Sequence, residues 1–185
     1  MADQREDRMG QALEKAVEGD HPAFAEIVRE HQGMVFSIAY HFLRNRSLAE
    51  ELAQEVFLQL YQKLAEIQSP AHLTYWLRRV TAHRCIDQSR RSRPELGLDE
   101  APVQATTPRL VDPLLHQQLR KGVAALPEKW RAMVILRYQE ELDLAEISET
   151  LGIPLNTVKS GLQRSLAELR KRLTRKLGGV RYALF

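Results

Sequence analysis

Apolar positions recur at the three-to-four-residue interval of a helix along most of the chain, and no stretch alternates as a half-buried strand does. From Phe24 to Phe42 the apolar set is Phe24, Ile27, Val28, Val35, Ile38, Ala39 and Phe42, one face of an amphipathic helix. Asn45-Arg46-Ser47 breaks that period. Ser47 and Glu50 have the spacing of a capping box, in which the hydroxyl accepts from an unpaired backbone N–H and the glutamate reaches back. The helix that follows is expected to run to about Ile67. Ser69-Pro70 restarts the chain, with serine as cap and proline at the first helical position. Leu73, Trp76, Leu77 and Val80 then give an expected inward stripe leading into a run of arginines.

Between residues 94 and 112 the pattern stops. Pro94, Pro102 and Pro108, with Gly97 and Thr106-Thr107 among them, interrupt any helix. Such a stretch is too long for a tight connection and predicts a flexible linker. It separates a helical domain over 10–93 from a smaller one over 113–178. Asp112-Pro113 is a good start for the second domain's first helix, and Leu126-Pro127 for its next, with Trp130, Met133, Val134 and Leu136 supplying core. The fold class expected is therefore all-α, two small helical domains joined by a flexible linker.

The most informative segment runs from Asp143 to Ser160. Asp143 and Glu146 form a second capping box, and Ile147 and Leu151 give a short helix one apolar face. Gly152 falls where that helix must end, since a left-handed residue costs glycine nothing. Ile153 is read as the buried plug of the turn, and Pro154 prevents simple continuation. A second helix begins near Leu155, with Val158, Leu162, Leu166, Leu169, Leu173 and Leu177 facing inward. That register leaves Asn156, Thr157, Lys159, Ser160, Gln163 and Arg164 outside. Short polar and basic side chains on the first turns of such a helix suit the major groove of DNA, and the helix N-terminus adds donors for a phosphate.

Composition narrows the function classes. The chain has 185 residues, 44% hydrophobic and 28% charged, which predicts a globular protein. No apolar run approaches the roughly 20 residues that span a bilayer, and the mixed-charge N-terminus is followed by no signal-peptide core. A cytoplasmic location without membrane insertion is expected. Cys85 is the single cysteine, so no internal disulfide or thiolate zinc cluster can form; a buried core thiol is the simpler reading than a redox sensor. The six histidines show no metal-ligand spacing, and no phosphate-cradling glycine loop or nucleophile elbow is present. No metal, cofactor or catalysis is expected. The net charge is only +3, yet the stretches 78–93 and 159–176 hold 13 of the 27 basic residues and two of the 24 acids. Two concentrated cationic segments on an acidic body suggest two polyanion contacts.

These residues carry a family resemblance. Leu144 to Ser160 closely resembles the DNA-binding region 4 of extracytoplasmic-function sigma factors of the sigma-70 family, group 4, and Leu126-Pro127-Glu128-Lys129-Trp130-Arg131 looks like that domain's opening. Independently, Glu50 to Leu58 resembles the polymerase-binding helix of region 2. Trp76 to Asp87, with Arg90 and Arg91, resembles its promoter-melting helix. The likeness covers about residues 20 to 178 in the family's order. It implies an alternative sigma factor without catalysis of its own, whose partners are core RNA polymerase and promoter DNA; anti-sigma proteins are usual for the family. Glu51, Gln54 and Glu55 would dock on the clamp coiled coil of the polymerase's largest subunit. Trp76, Arg79, His83, Arg84, Arg90 and Arg91 would hold the minus-ten element, with the loop 68–72 receiving a flipped base, although Trp76 reads equally well as core. Asn156, Thr157, Lys159, Ser160, Gln163 and Arg164 would read the minus-thirty-five element. His83 stands where the family usually has asparagine and Gly161 where it usually has arginine, and the glycine is expected to cost an outward DNA contact. The alternative is a stand-alone helix-turn-helix regulator that uses its N-terminal half to dimerise or sense a ligand.

Overall fold

The computed structural model describes residues 2–91 and 113–176, and every regular element among them is helical. The chain divides into two compact units, 1–97 and 98–185. The expected linker lies outside the described residues, as does Leu177.

The first unit contains α1 (Ala2–Val17), α2 (His21–Leu43), α3 (Arg46–Lys63) and α4 (Pro70–Arg91), with a 3-10 turn at Leu64–Glu66. Helix α2 is central and packs against α1, α3 and α4. Ile27, Val35, Ile38, Ala39 and Phe42 form its buried stripe, each no more than 1% exposed. Across from it lie Ala49, Val56 and Leu60 of α3 and Leu73 and Leu77 of α4, all fully buried. Burying side chains of this size contributes about 1.5–3 kcal/mol each, and this set is the main support of the unit.

Helix α1 was not anticipated. Its inward residues Met9, Ala12, Leu13 and Ala16 follow the helical interval, but two of them are alanines, so the apolar signal is faint among charged neighbours. Arg5 pairs with Glu30 and Arg8 with Glu26, fastening α1 to the outside of α2. Helix α2 begins on Asp20, whose carboxylate accepts from the Ala23 amide at 3.1 Å, and carries Pro22 in its first turn. It ends on Arg44 in the left-handed region, φ 58°.

The expected box at Ser47 and Glu50 is corrected. Asn45 is the cap of α3, its Oδ1 accepting from the Leu48 amide at 3.0 Å, and Glu50 instead pairs with Arg46 at 2.8 Å. Asn45 is as good a cap as serine and stands earlier, so it takes the helix start. The helix itself stops at Lys63, and the tighter 3-10 turn carries the chain to Ile67. The start at Ser69-Pro70 is as expected, with Ser69 Oγ accepting from the His72 amide at 3.1 Å. On α4 the buried row is Leu73, Leu77, Thr81, Ala82, Cys85 and Ile86, whereas Trp76 and Val80 are only half-buried.

One buried polar group bridges α2 and α4. His31 is 8% exposed, its Nδ1 donates to the Ile27 carbonyl at 3.0 Å, and its Nε2 faces Thr74 Oγ1 at 3.4 Å. Burial pushes its pKa below the usual histidine value; the Ile27 carbonyl opposes that shift, and Arg5 and Arg78 add to it.

The second unit contains α5 (Pro113–Ala124), α6 (Glu128–Tyr138), α7 (Leu144–Leu151) and α8 (Leu155–Lys176). Helix α8 packs against each of the other three. Ala132, Met133, Ile135 and Leu136 of α6 are buried, while Trp130 is half-buried rather than core.

Candidate functional site

Helix α7 starts on the expected capping box. Asp143 Oδ1 accepts from the Ala145 and Glu146 amides at 2.7 and 2.8 Å, and Glu146 Oε2 accepts from the Asp143 amide at 2.7 Å. The helix ends on Gly152, φ 63° and ψ 40°, a conformation that disfavours a side chain. The sequence pattern assigned Ser148 no role. Its hydroxyl donates to the Ile153 carbonyl at 2.5 Å, while its own carbonyl accepts from the Ile153 amide at 3.1 Å. Together these two bonds lock the turn between the helices. Ile153, read as a buried plug, is half-buried, because the backbone closure holds the turn.

The register of α8 is the one expected. Val158 is fully buried, and Leu162, Leu169 and Leu173 are 5–7% exposed; Leu166 is half-buried. Asn156, Thr157, Lys159, Gln163 and Arg164 are exposed, and Ser160 is half-buried with its hydroxyl donating to the Thr157 carbonyl at 3.2 Å. Asn156, Lys159 and Gln163 follow one another up one face, and Thr157, Ser160 and Arg164 lie on its flank. No acid stands among these six.

Gly161 requires a correction. It is buried against α6, and a Cβ there would lie 2.5 Å from Met133 Sδ and 3.0 Å from Met133 Cε. The position faces the core of the unit, so its glycine is a packing feature and not a missing outward arm. The Gly161 carbonyl accepts from the buried Ser165 hydroxyl at 2.7 Å.

In the first unit, Trp76, Arg79, His83 and Arg90 share one side of α4, since their spacings of three, four and seven follow the helix period. Trp76, Arg79 and His83 are half-buried, and Arg90 and Arg91 are exposed in the last turn. Arg79 Nη1 donates to Tyr75 Oη at 3.3 Å. His83 Nε2 is buried and makes no hydrogen bond. Arg90 lies 4.0 Å from Asp87, which brings the only acid of this side. The loop before α4 is closed on itself: the Gln68 amide donates to His72 Nδ1 at 3.2 Å, and the His72 ring stacks on Tyr75 with centroids 6.5 Å apart.

Arg84 sits apart from that row. Its Nε and Nη2 donate to Gln59 Oε1 at 3.1 and 2.8 Å, and its Nη1 to Glu55 Oε2 at 2.5 Å. The structure thus brings together a residue assigned to promoter contact and one assigned to polymerase contact.

On α3, Glu51, Gln54 and Glu55 are exposed along one side. What sequence reasoning missed is the apolar surface around them. A groove between α2 and α3 is lined by Val28, Gln32, Gly33, Phe36, Ala53, Gln54 and Phe57. Leu58, one turn beyond Gln54, is 61% exposed. The signal was available: Leu58 falls off the buried row Leu52, Val56 and Leu60 and onto the acidic side. No group of histidine, cysteine, aspartate or glutamate side chains among the described residues could hold a metal ion, and no described helix is long and apolar enough to cross a membrane.

Known proteins resemble both units. Residues 27–95 match the family described as Sigma-70 region 2, and residues 116–169 match Sigma-70, region 4. The ECF RNA polymerase sigma factor SigW of Bacillus subtilis (strain 168) is 30% identical over 177 residues, 87% of this chain and 94% of that protein. The ECF RNA polymerase sigma factor SigE of Mycolicibacterium smegmatis is 32% identical over 163 residues, 83% of this chain but 63% of the longer relative. Among solved structures, CnrH in complex with the cytosolic domain of CnrY has a TM-score of 0.68 at 18% identity, covering 91% of this chain and 98% of that one. The sigma factor RpoE in complex with the anti-sigma factor NepR from Bartonella quintana has a TM-score of 0.64, also at 18% identity, covering 82% and 96%. At that identity the two structures speak for the fold, while region order and the SigW match speak for descent. The chain belongs to the sigma-70 family, as an extracytoplasmic-function sigma factor that directs transcription initiation by RNA polymerase.

Proposed function

We propose that this sigma factor uses three separate surfaces, one for the polymerase and two for the promoter. The outward side of α3, with Glu51, Gln54 and Glu55 around the exposed Leu58 and the α2–α3 groove, docks on the clamp coiled coil of the polymerase's largest subunit. An apolar centre within a polar, charged rim is the usual anatomy of such an interface. Trp76, Arg79, His83, Arg90 and Arg91 hold the minus-ten element. The ring of Trp76 can stack on an exposed base, and the two terminal arginines suit phosphates. The segment 68–72, which runs from the loop into the first turn of α4, receives an extruded base, and the His72–Tyr75 stack forms its wall. Helix α8 reads the minus-thirty-five element through Asn156, Thr157, Lys159, Ser160, Gln163 and Arg164. The protein acts in the cytoplasm without catalysis of its own, and an anti-sigma protein of the kind bound to RpoE from Bartonella quintana covers its polymerase surface when it is held inactive.

One observation carries this reading: α8 buries Val158 and presents Asn156, Lys159 and Gln163 outward on one cation-bearing face. The test is transcription from a defined promoter by core polymerase with and without the protein. Lys159→Ala or Gln163→Ala is expected to weaken recognition of the upstream element by about 1–3 kcal/mol where the side chain reads a base. Normal upstream recognition by both variants would remove α8 as the reader. Tight duplex binding by the protein alone, with no polymerase dependence, would instead favour a stand-alone regulator.

A further inference from the structure

The guanidinium of Arg84 is held within its own unit. Three of its N–H groups are committed to α3, from Nε and Nη2 to Gln59 Oε1 and from Nη1 to Glu55 Oε2. Its side chain is 38% exposed and its charge is matched by the Glu55 carboxylate at 2.5 Å. The Glu55 carboxylate offsets the charge that a phosphate would meet, so this arginine gains less from a phosphate than an unpaired one would. Its position agrees with that. On α4 it lies at the seam between the buried row of Leu77, Thr81 and Cys85 and the side bearing Trp76, Arg79 and His83. Gln59 is one turn along α3 from Glu55, so a single planar fork spans one turn of the polymerase-docking helix.

We propose that Arg84 and Gln59 are positioning residues, forming with Glu55 a clamp through which docking of α3 on the polymerase sets the orientation of α4 for promoter opening. The proposal rests on the α3 and α4 assignments given above. In it, Arg84 touches no DNA. The clamp transmits the placement of α3 to α4 because the guanidinium is rigid and held by three hydrogen bonds to two side chains of α3. A lysine would carry the same charge but would hold α4 at a single point. Neither Gln59 nor the clamp was visible in the sequence, since residues 59 and 84 meet only through the packing of α3 on α4.

The test uses the full-length protein with core polymerase on a fully paired promoter and on the same promoter with the minus-ten region held open by mismatches. Gln59→Leu removes the acceptor of two bonds at similar length, and Arg84→Lys removes the fork. Both are expected to bind core normally and to open the paired promoter about tenfold more slowly, the rate equivalent of one charge-assisted hydrogen bond. On the pre-opened promoter both should match the unaltered protein. Gln59→Glu, which keeps an acceptor for the guanidinium, should restore opening, and the double variant should be no slower than either single one. The salt dependence of promoter binding should stay unchanged in Arg84→Lys and Arg84→Ala alike. A phosphate contact would give the opposite pattern: Arg84→Ala would lower the salt slope by about one while Gln59→Leu opened normally, and the clamp would be refuted. Loss of core affinity in Gln59→Leu would also refute it, placing Gln59 in the docking face alone. Arg84→Lys, the milder change, decides the matter if Gln59→Leu does not fold. Failure of the unaltered protein to support any polymerase-dependent transcript would sink the reading beneath the proposal, a result distinct from normal opening by the variants, which would sink the clamp alone.

Discussion

Ser148 and Gly161 show how single positions fix the DNA-reading unit. Ser148→Ala removes the hydroxyl that caps the Ile153 carbonyl and is expected to lower stability by about 1 kcal/mol, read as a shift in the unfolding midpoint. At Gly161, alanine gains roughly 0.5–1 kcal/mol in helix preference but must displace the Met133 thioether, and overpacking of this kind costs about 1–3 kcal/mol. Gly161→Ala should therefore destabilise, and its cost should be smaller when measured in a Met133→Ala background than in the unaltered protein, although Met133→Ala is itself destabilising; a more stable single variant would show that Met133 moves aside freely. His31 gives a prediction in pH. Its folded pKa is lowered by burial, so the unfolded chain takes up a proton that the folded chain refuses. Its neutral form is fully favourable above the unfolded value of 6.5, and stability is lost as pH falls from there toward the lowered folded value. The unfolding temperature should drop between about pH 7 and 5, and His31→Gln should flatten that slope. An equal slope in the variant would assign the effect to other groups.

At the scale of elements, α1 carries a prediction that the sequence reading could not make. Leu13 is 5% exposed where α1 packs against the rest of its unit. Leu13→Ala is expected to cost about 2–4 kcal/mol. Urea unfolding of the variant would measure it, and a loss under about 0.5 kcal/mol would mean that α1 is not integral to the unit. The contrast between α1 and α8 explains what was legible. Helix α8 announces itself through Val158, Leu162, Leu169 and Leu173, large residues on one face with cations opposite. Half of the side chains that helix α1 buries are alanines, so its periodicity is weak. The capping box at Asp143 was readable because no other capping residue stands just before it, whereas ahead of Ser47 the equally good cap Asn45 stands earlier and takes the helix start. On α4 the inward stripe was placed slightly out of register, since Trp76 and Leu77 are neighbours and sequence alone does not say which turns in. Contacts between distant helices, such as Arg84 with Gln59, leave no trace in periodicity at all. The exposed Leu58 could have been noticed as an apolar residue off the buried row.

At the scale of the molecule, each unit carries one helix with exposed cations, although ion pairs such as Arg90 with Asp87 and Arg172 with Glu168 lie on the same helices. Arg90 and Arg91 end α4 in the first unit, and Lys159, Arg164 and Arg170 mark the outer side of α8 in the second. Binding of both units to one promoter should add their counterion releases. The affinity of the polymerase complex for its promoter is thus expected to fall steeply with salt, and Arg91→Ala and Lys159→Ala should each reduce the logarithmic slope by about one if they contact phosphates. The two reductions should sum in the double variant, because the residues belong to different compact units. Slopes that do not sum would mean that the two contacts form as one.

The turn closed by Ser148 and Gly152 has a bearing on how promoters are ranked. Because the angle between α7 and α8 is set when the chain folds, no ordering of that joint is left to be done on DNA. If α8 reads the upstream element as proposed, each base then meets an already rigid probe. Substitutions at separate bases should accordingly contribute independent increments, so that a simple sum over positions ranks upstream sequences, and pronounced interplay between distant bases would show that the joint yields on binding.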